Sequence, residues 1–229
     1  MSFIVGIDGP AGTGKGTITE LVAKDLNLLK IDTGAMYRAF TLFMLDNNVK
    51  IEDIEKIKEL LGKVEIDIIQ QNENNIKKDI ILLNGKDVTS EIRSNRVTKI
   101  VSPVSSIIEV RIKMVDMQRK MAEGKNTIME GRDITTYVFP NADVKIYLDA
   151  DVEERAKRRY KENIEKGIET TFEEVLEDMK KRDYNDMHKP MGALKVAEDA
   201  IVIDTTHMSI NEVKEKVENI IIEKMNRKG

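Results

Sequence analysis

An apolar strand that runs without a break into a glycine-rich loop and then a helix constrains this chain more than any other feature. Phe3-Ile4-Val5-Gly6-Ile7-Asp8 reads as a short, fully buried strand. Gly9-Pro10-Ala11-Gly12-Thr13-Gly14-Lys15-Gly16-Thr17 follows, and a helical segment runs from about Lys15 to Leu26. The glycines let the backbone wrap a phosphate group, so that successive N–H groups point inward and the next helix offers its positive end. Lys15 supplies a mobile positive charge for the β- and γ-phosphates of a nucleotide. The segment departs from the strict Walker A pattern, because Gly16 stands between Lys15 and the hydroxyl of Thr17. A ligand-free strand-to-helix turn is the plainer alternative, and the flanking strand and helix weigh against it.

The rest of the chain continues an α/β rhythm with one interruption. Leu28 to Asp32 reads as a second strand, Ala35 to Leu45 as a helix, and Ile51 to Leu61 as an amphipathic helix. Val64 to Ile69 then alternates apolar residues with acids, Asp79 to Leu83 is apolar, and Asn84-Gly85 follows. An Asn-Gly pair beside strand-like runs signals a hairpin, because both central residues must accept positive φ. A small antiparallel sheet is therefore expected as an insert, followed by a helical stretch from about Ser105 to Ala122. Thr127 to Glu130, Val144 to Leu148 and Ala200 to Ile203 are compact runs of buried-strand type. Capping signals open three helices, at Asp151-x-x-Glu154, Thr171-x-x-Glu174 and Ser209-x-x-Glu212. Strands alternating with helices imply a mostly parallel sheet.

Three further clusters carry chemistry. Asp32-Thr33-Gly34-Ala35-Met36-Tyr37-Arg38 is a polar turn at a strand end that opens a helix, where open α/β sheets hold ligands. Arg38 either clamps a phosphate through its fork or is a solvated side chain beside an N-cap. Glu130-Gly131-Arg132-Asp133 ends a buried strand in charges, which is costly unless they pair or meet a ligand. Glu130 can orient Mg²⁺ or its waters and Arg132 can hold a phosphate; a structural ion pair is the alternative. Arg155, Arg158 and Arg159 share one helix at spacings of three and four. Arg182, Asp183, Asp186 and Lys189 follow on the next. Phosphoryl transfer needs cations around the γ-phosphate, although such a run is also what a solvated, ion-paired face looks like.

Composition narrows the function classes. The chain has 229 residues, 41% hydrophobic and 34% charged, a globular balance. A net charge of −4 and only 4% aromatic residues argue against a nucleic-acid binder. The absence of cysteine excludes disulfides and thiolate metal sites and fits a reducing cytosol. No apolar run approaches the length of a membrane span, and no basic leader precedes the first strand. The guanine-reading Asn-Lys-x-Asp and the switch Asp-x-x-Gly of GTPases do not occur.

Taken together, these segments resemble bacterial cytidylate kinases over nearly the whole length. The resemblance rests on Gly9 to Thr17, on Thr33-Gly34-Ala35-Met36-Tyr37-Arg38, on the hairpin insert, on Glu130-Gly131-Arg132-Asp133, and on Val144 to Ala150 leading into Glu153 to Arg159. It implies a P-loop three-layer α/β fold in one nucleoside-monophosphate kinase domain. The core would be 1–62, 126–150 and 198–229, the NMP-binding insert 63–125 and the helical lid 151–197. It implies ATP-dependent transfer to CMP or dCMP with Mg²⁺, in a cytoplasmic monomer that binds neither membrane nor nucleic acid. Another P-loop kinase, for UMP, AMP or shikimate, and a regulatory nucleotide-binding module are the alternatives. By match, Gly9, Pro10, Ala11, Gly12, Thr13, Gly14, Lys15, Gly16, Thr17 and Arg158 would bind ATP, with Thr17 and Glu130 toward the metal. Thr33 and Asp186 would contact the acceptor ribose, and Ser102, Arg111 and Asp133 its base. Arg38, Arg132 and Lys189 would hold its phosphate. Lys15, Arg155, Arg159 and Arg182 would act on the transferring group. Three positions depart from the family pattern: Glu130 where Asp is more frequent, Thr135 where Gly is more usual, and Lys189 where Arg is expected.

Overall fold

The computed structural model describes residues 2–73 and 76–228, with side chains outside 72–78. Residues 1, 74, 75 and 229 of the expected core and insert lie outside them. By internal contacts the chain divides into one unit of residues 1–31 and 119–229 and a second of residues 32–118.

The first unit is built on a five-stranded sheet in the order β2-β6-β1-β7-β8. Its strands are β1 (Ile4–Asp8), β2 (Leu29–Asp32), β6 (Thr127–Gly131), β7 (Val144–Asp149) and β8 (Ile201–Asp204). β1 pairs in parallel with both β6 and β7, and β7 with β8. A central parallel strand is covered on both faces, which is why Ile4–Asp8 is buried at every position. Helices α1 (Lys15–Asp25) and α8 (Ile210–Lys228) close one face. Ile18, Val22, Val213, Val217 and Ile221 meet Val5, Ile7, Ile146, Leu148 and Ile203 there in one core. Helices α6 (Val152–Glu165) and α7 (Phe172–Met187) pair through a small core of Ala156, Val175 and Met179. Thr171 and Glu174 form the expected capping box on α7, and Ser209 and Glu212 bond reciprocally before α8. At α6 the cap is Asp151, which accepts from the Glu153 N–H, while Glu154 pairs with Lys157 instead.

The second unit holds α2 (Thr33–Asp46), α3 (Ile54–Leu61), α4 (Asn95–Val104), most of α5 (Ile108–Ala122), and a three-stranded antiparallel sheet. The sheet strands are β3 (Ile66–Glu73), β4 (Ile76–Leu83) and β5 (Lys86–Asp87). The β4–β5 turn is the Asn84-Gly85 hairpin, with φ of 48° and 79°. The Asn84 side chain also accepts from the Glu65 N–H at 2.7 Å, which ties the turn to the strand opposite. Helix α2 is buried along most of its length and packs against α3, α4 and β4. That packing is why residues 33–61 group with the insert rather than with the large sheet. The helix expected from Ser105 to Ala122 starts three residues later, as α5 at Ile108, and a separate helix, α4, ends before it at Val104. Pro103 has no N–H to give, and the Ser105 and Ser106 hydroxyls bond back to the Ser102 carbonyl. Among the described residues no helix is long and apolar enough to cross a membrane.

Candidate active site

The glycine-rich loop leaves the sheet at the C-terminal end of β1, taking positive φ at Gly9, Gly12 and Gly14. Helix α1 begins with neither a side-chain cap nor an acidic residue in its first turn, so its N-terminal amides keep their affinity for an anion. Lys15 is buried and folded back over the loop, its Nζ donating to the Pro10 carbonyl at 2.6 Å and the Thr13 hydroxyl at 3.3 Å. Burial and the charge of Arg132 push its pKa well below the ordinary lysine value, against the pull of Glu130 and Asp8.

Gly16 lies close against Glu130. A Cβ there would lie 3.3 Å from Oε1 of Glu130, so the carboxylate at the end of β6 rests directly on the helix start. Thr19, which the sequence reading passed over, donates toward the same Oε1 at 3.1 Å. Its hydroxyl also lies within reach of the Lys15 and Gly16 carbonyls. Thr17 is exposed.

Beyond Glu130, Arg132 and Lys189 converge on Asp186. Arg132 Nε donates to Oδ2 at 2.8 Å, and Lys189 Nζ lies 2.9 Å from Oδ1. Burial alone would raise the Asp186 pKa, but the two cations and their hydrogen bonds outweigh it and hold the carboxyl below the usual range.

Asp133 follows, 5% exposed, as the residue just before a π-helical turn over Ile134–Val138. Its carbonyl accepts from Tyr137 and Val138. The amides of Ile134 and Thr135 bond to Asp8, the last residue of β1. Burial pushes the Asp8 carboxyl up, while these hydrogen bonds and Lys15 pull it down. The sequence reading gave Asp8 no role, although a carboxylate ending an all-buried strand beside the loop was a signal.

The arginines of α6 and α7 differ in environment. Arg155 is 4% exposed, with Nε on the Ala150 carbonyl at 2.9 Å, Nη1 on the Ala11 carbonyl at 3.0 Å and Nη2 on Asp183 at 2.6 Å. Arg158 brackets the carbonyls of Thr205 and Thr206 at 2.8 and 3.0 Å. Arg159 pairs with Glu162 at 3.3 Å on an open face. Arg182 is half-buried, one residue before Asp183.

The second unit carries its own cluster. Asp32 caps α2 by accepting from the Ala35 N–H at 2.9 Å, and Thr33, the first helical residue, is buried. Arg38 donates through Nη1 to the Ile92 carbonyl at 3.2 Å and to the Thr98 hydroxyl at 2.9 Å. Arg111 is 2% exposed, its Cζ 5.7 Å from the centre of the Tyr37 ring. The Ser102 Oγ is buried with no hydrogen-bond partner among the described residues.

The comparisons with known proteins bear on this arrangement. The family model for cytidylate kinase matches residues 5–223. The chain belongs to the cytidylate kinase family. Within that family it is 49% identical to the cytidylate kinase of Caldicellulosiruptor saccharolyticus, over 93% of this chain and 92% of the relative. The cytidylate kinase of Fusobacterium nucleatum is 47% identical, over 93% and 94% of the two chains. That of Halalkalibacterium halodurans is 45% identical, over 96% and 98%. A crystal structure of an uncharacterized protein from Eubacterium ventriosum, 14% identical, superposes with a TM-score of 0.51 over 97% of this chain and 99% of its own; it shares the fold.

Proposed function

We infer that this member of the cytidylate kinase family transfers the γ-phosphate of ATP to CMP or dCMP, giving ADP and CDP or dCDP. The observation that carries the reading lies in the first unit. Asp8 pairs in register with Gly131, so the glycine-rich loop and Arg132 leave the sheet at the same edge, and Asp186 and Lys189 join Arg132 there through ion pairs. A donor phosphate chain and an acceptor phosphate both require such cationic surroundings.

In this reading Gly9 to Thr17 wraps the ATP phosphates, and Lys15 exchanges the Pro10 carbonyl for a phosphate oxygen. Thr17 and Glu130 would hold Mg²⁺ directly or through water, where it neutralises charge on the β- and γ-phosphates. One hydroxyl and one carboxylate suit an ion that keeps most of its ligands as water and phosphate. Arg132 and Lys189, already turned toward Asp186, together with Arg38, hold the acceptor phosphate. Thr33 and Asp186 meet the ribose. Ser102, Arg111 and Asp133 read the base. A carboxylate at Asp133 accepts the cytosine amino proton, whereas uracil would set a carbonyl oxygen against it.

Transfer is direct and in line, with no covalent intermediate. The acceptor oxygen is largely ionised near pH 7, since the second pKa of a phosphate monoester is about 6, and no general base is required. Arg159 and Arg182 supply charge to the transferring group, Arg158 secures the 205–206 segment beside the loop, and Arg155 positions Ala11 of the loop. Closure of α6 and α7 excludes water and suppresses ATP hydrolysis. The test is ADP release from Mg·ATP with CMP, dCMP, UMP, AMP or shikimate as acceptor. Turnover is expected with CMP and dCMP, weak with UMP and absent with AMP and shikimate. ADP release indifferent to the acceptor would overturn the reading.

A further inference from the structure

A residue that opens a turn ordinarily caps it, its own side chain accepting the amides one to three residues on. Asp133 does not cap the Ile134–Val138 turn. A carboxylate from another strand does so in its place. Asp8 Oδ1 accepts from the Ile134 N–H at 2.8 Å; Oδ2 accepts from the Thr135 N–H at 2.7 Å and the Thr135 hydroxyl at 2.6 Å. Asp8 is fully buried, where a carboxyl group is costly unless its oxygens are hydrogen-bonded, and here both oxygens accept from the turn. The turn also seats tightly on β1: a Cβ at Gly6 would come within 2.7 Å of Thr135 Cγ2. Thr135, where the family pattern has Gly, adds the third bond to the carboxylate.

We propose that Asp8 is a positioning residue for base selection: by capping the Asp133 turn from β1 it fixes the Asp133–Ile134 peptide, and with it the backbone from which the Asp133 carboxylate meets the cytosine amino group. The inference rests on the reading of Asp133 as the base-reading carboxylate. Asp8 acts through the plane of one peptide, and Thr135 strengthens its hold.

The experiment measures kcat/KM for CMP and for UMP in wild type, Asp8→Asn, Thr135→Val, Asp133→Asn and the Asp8→Asn/Asp133→Asn double variant, with ATP affinity by calorimetry. Asp8→Asn keeps the shape but turns an N–H₂ toward an amide donor. The CMP/UMP ratio should fall about tenfold, as expected for loss of one charge-assisted hydrogen bond. Thr135→Val, which keeps both amide bonds, should lower it about threefold. ATP affinity should hold, and in the Asp133→Asn background the Asp8 change should no longer move the ratio. A ratio unchanged in Asp8→Asn and Thr135→Val, while Asp133→Asn collapses it, overturns the role of Asp8. So does an Asp8 effect that persists without the Asp133 carboxylate. If Asp8→Asn fails to fold, Thr135→Val decides alone. A ratio indifferent to Asp133→Asn removes the underlying reading of Asp133, a result distinct from the other two.

Discussion

Replacing Arg155 with alanine asks whether this side chain braces the loop or waits as a cation for the transferring phosphate. All three kinds of guanidinium nitrogen are occupied, by the Ala150 and Ala11 carbonyls and by Asp183, and the group is buried. Breaking a buried ion pair by removing one partner costs about 3–5 kcal/mol, because the other charge is left without compensation. The two carbonyls lose donors as well, and water entering the space recovers part of that loss. A destabilisation of about 4 kcal/mol is therefore predicted, against a total stability of about 5–15 kcal/mol for a typical domain. For a chain of this size that corresponds to a fall in melting temperature of about 8–16 °C. Thermal and urea unfolding of Arg155→Ala, Asp183→Ala and the double variant would measure it. The double variant should be more stable than the sum of the single losses by about 1.5 kcal/mol or more, since no orphaned charge remains. Catalysis should suffer mainly through the position of Ala11, seen as weaker ATP binding together with lower kcat. A melting temperature within about 2 °C of wild type, below the effect of even 1 kcal/mol, with kcat lowered a thousandfold, would refute the brace.

Three other predictions follow from the same geometry. Because the Asp186 pKa is depressed, its contribution to stability is present above the unfolded carboxylate pKa and is lost as pH falls through the lower folded value. Asp186→Asn should thus destabilise at pH 7, and urea titrations should show the gap to wild type closing below about pH 4, the unfolded Asp value. Gly16→Ala presses a methyl group to 3.3 Å from the Glu130 carboxylate. It should lower kcat with Mg·ATP while thermal unfolding changes by less than about 1 kcal/mol, as helix propensity favours alanine. Arg159→Ala and Arg182→Ala should each lower kcat by about 10³-fold with little change in CMP affinity, which steady-state kinetics and CMP titration would separate.

Much of this architecture was legible because local rules and the fold agree. The Ile4–Asp8 strand, the loop from Gly9 and the helix from Lys15 are set by burial, glycine and a helix start acting in sequence. The Asn84-Gly85 hairpin needs positive φ at both residues, and the chain supplies residues that tolerate it. What stayed hidden was set by partners distant in sequence. Asp8 reads as the last residue of a strand until the fold brings it against Thr135, 127 positions away. Arg155 reads as one cation in a run until Ala11, 144 positions away, accepts from it. Helix α4 is hidden because Asn95–Val104 is rich in β-branched residues and holds Pro103, so it owes its form to packing on α2 and not to local propensity. The grouping of α2 with residues 63–118 comes from its buried flank, a preference that periodicity alone does not reveal.

The central claim is that the γ-phosphate of ATP ends on a cytosine nucleotide. The most direct test incubates the enzyme with γ-labelled Mg·ATP and an equimolar mixture of CMP, dCMP, UMP and AMP, and then separates the products. The account predicts label in CDP and dCDP, a minor share in UDP, and almost none in ADP or inorganic phosphate. Label that accumulates as inorganic phosphate, or that spreads evenly over the four acceptors, would contradict it.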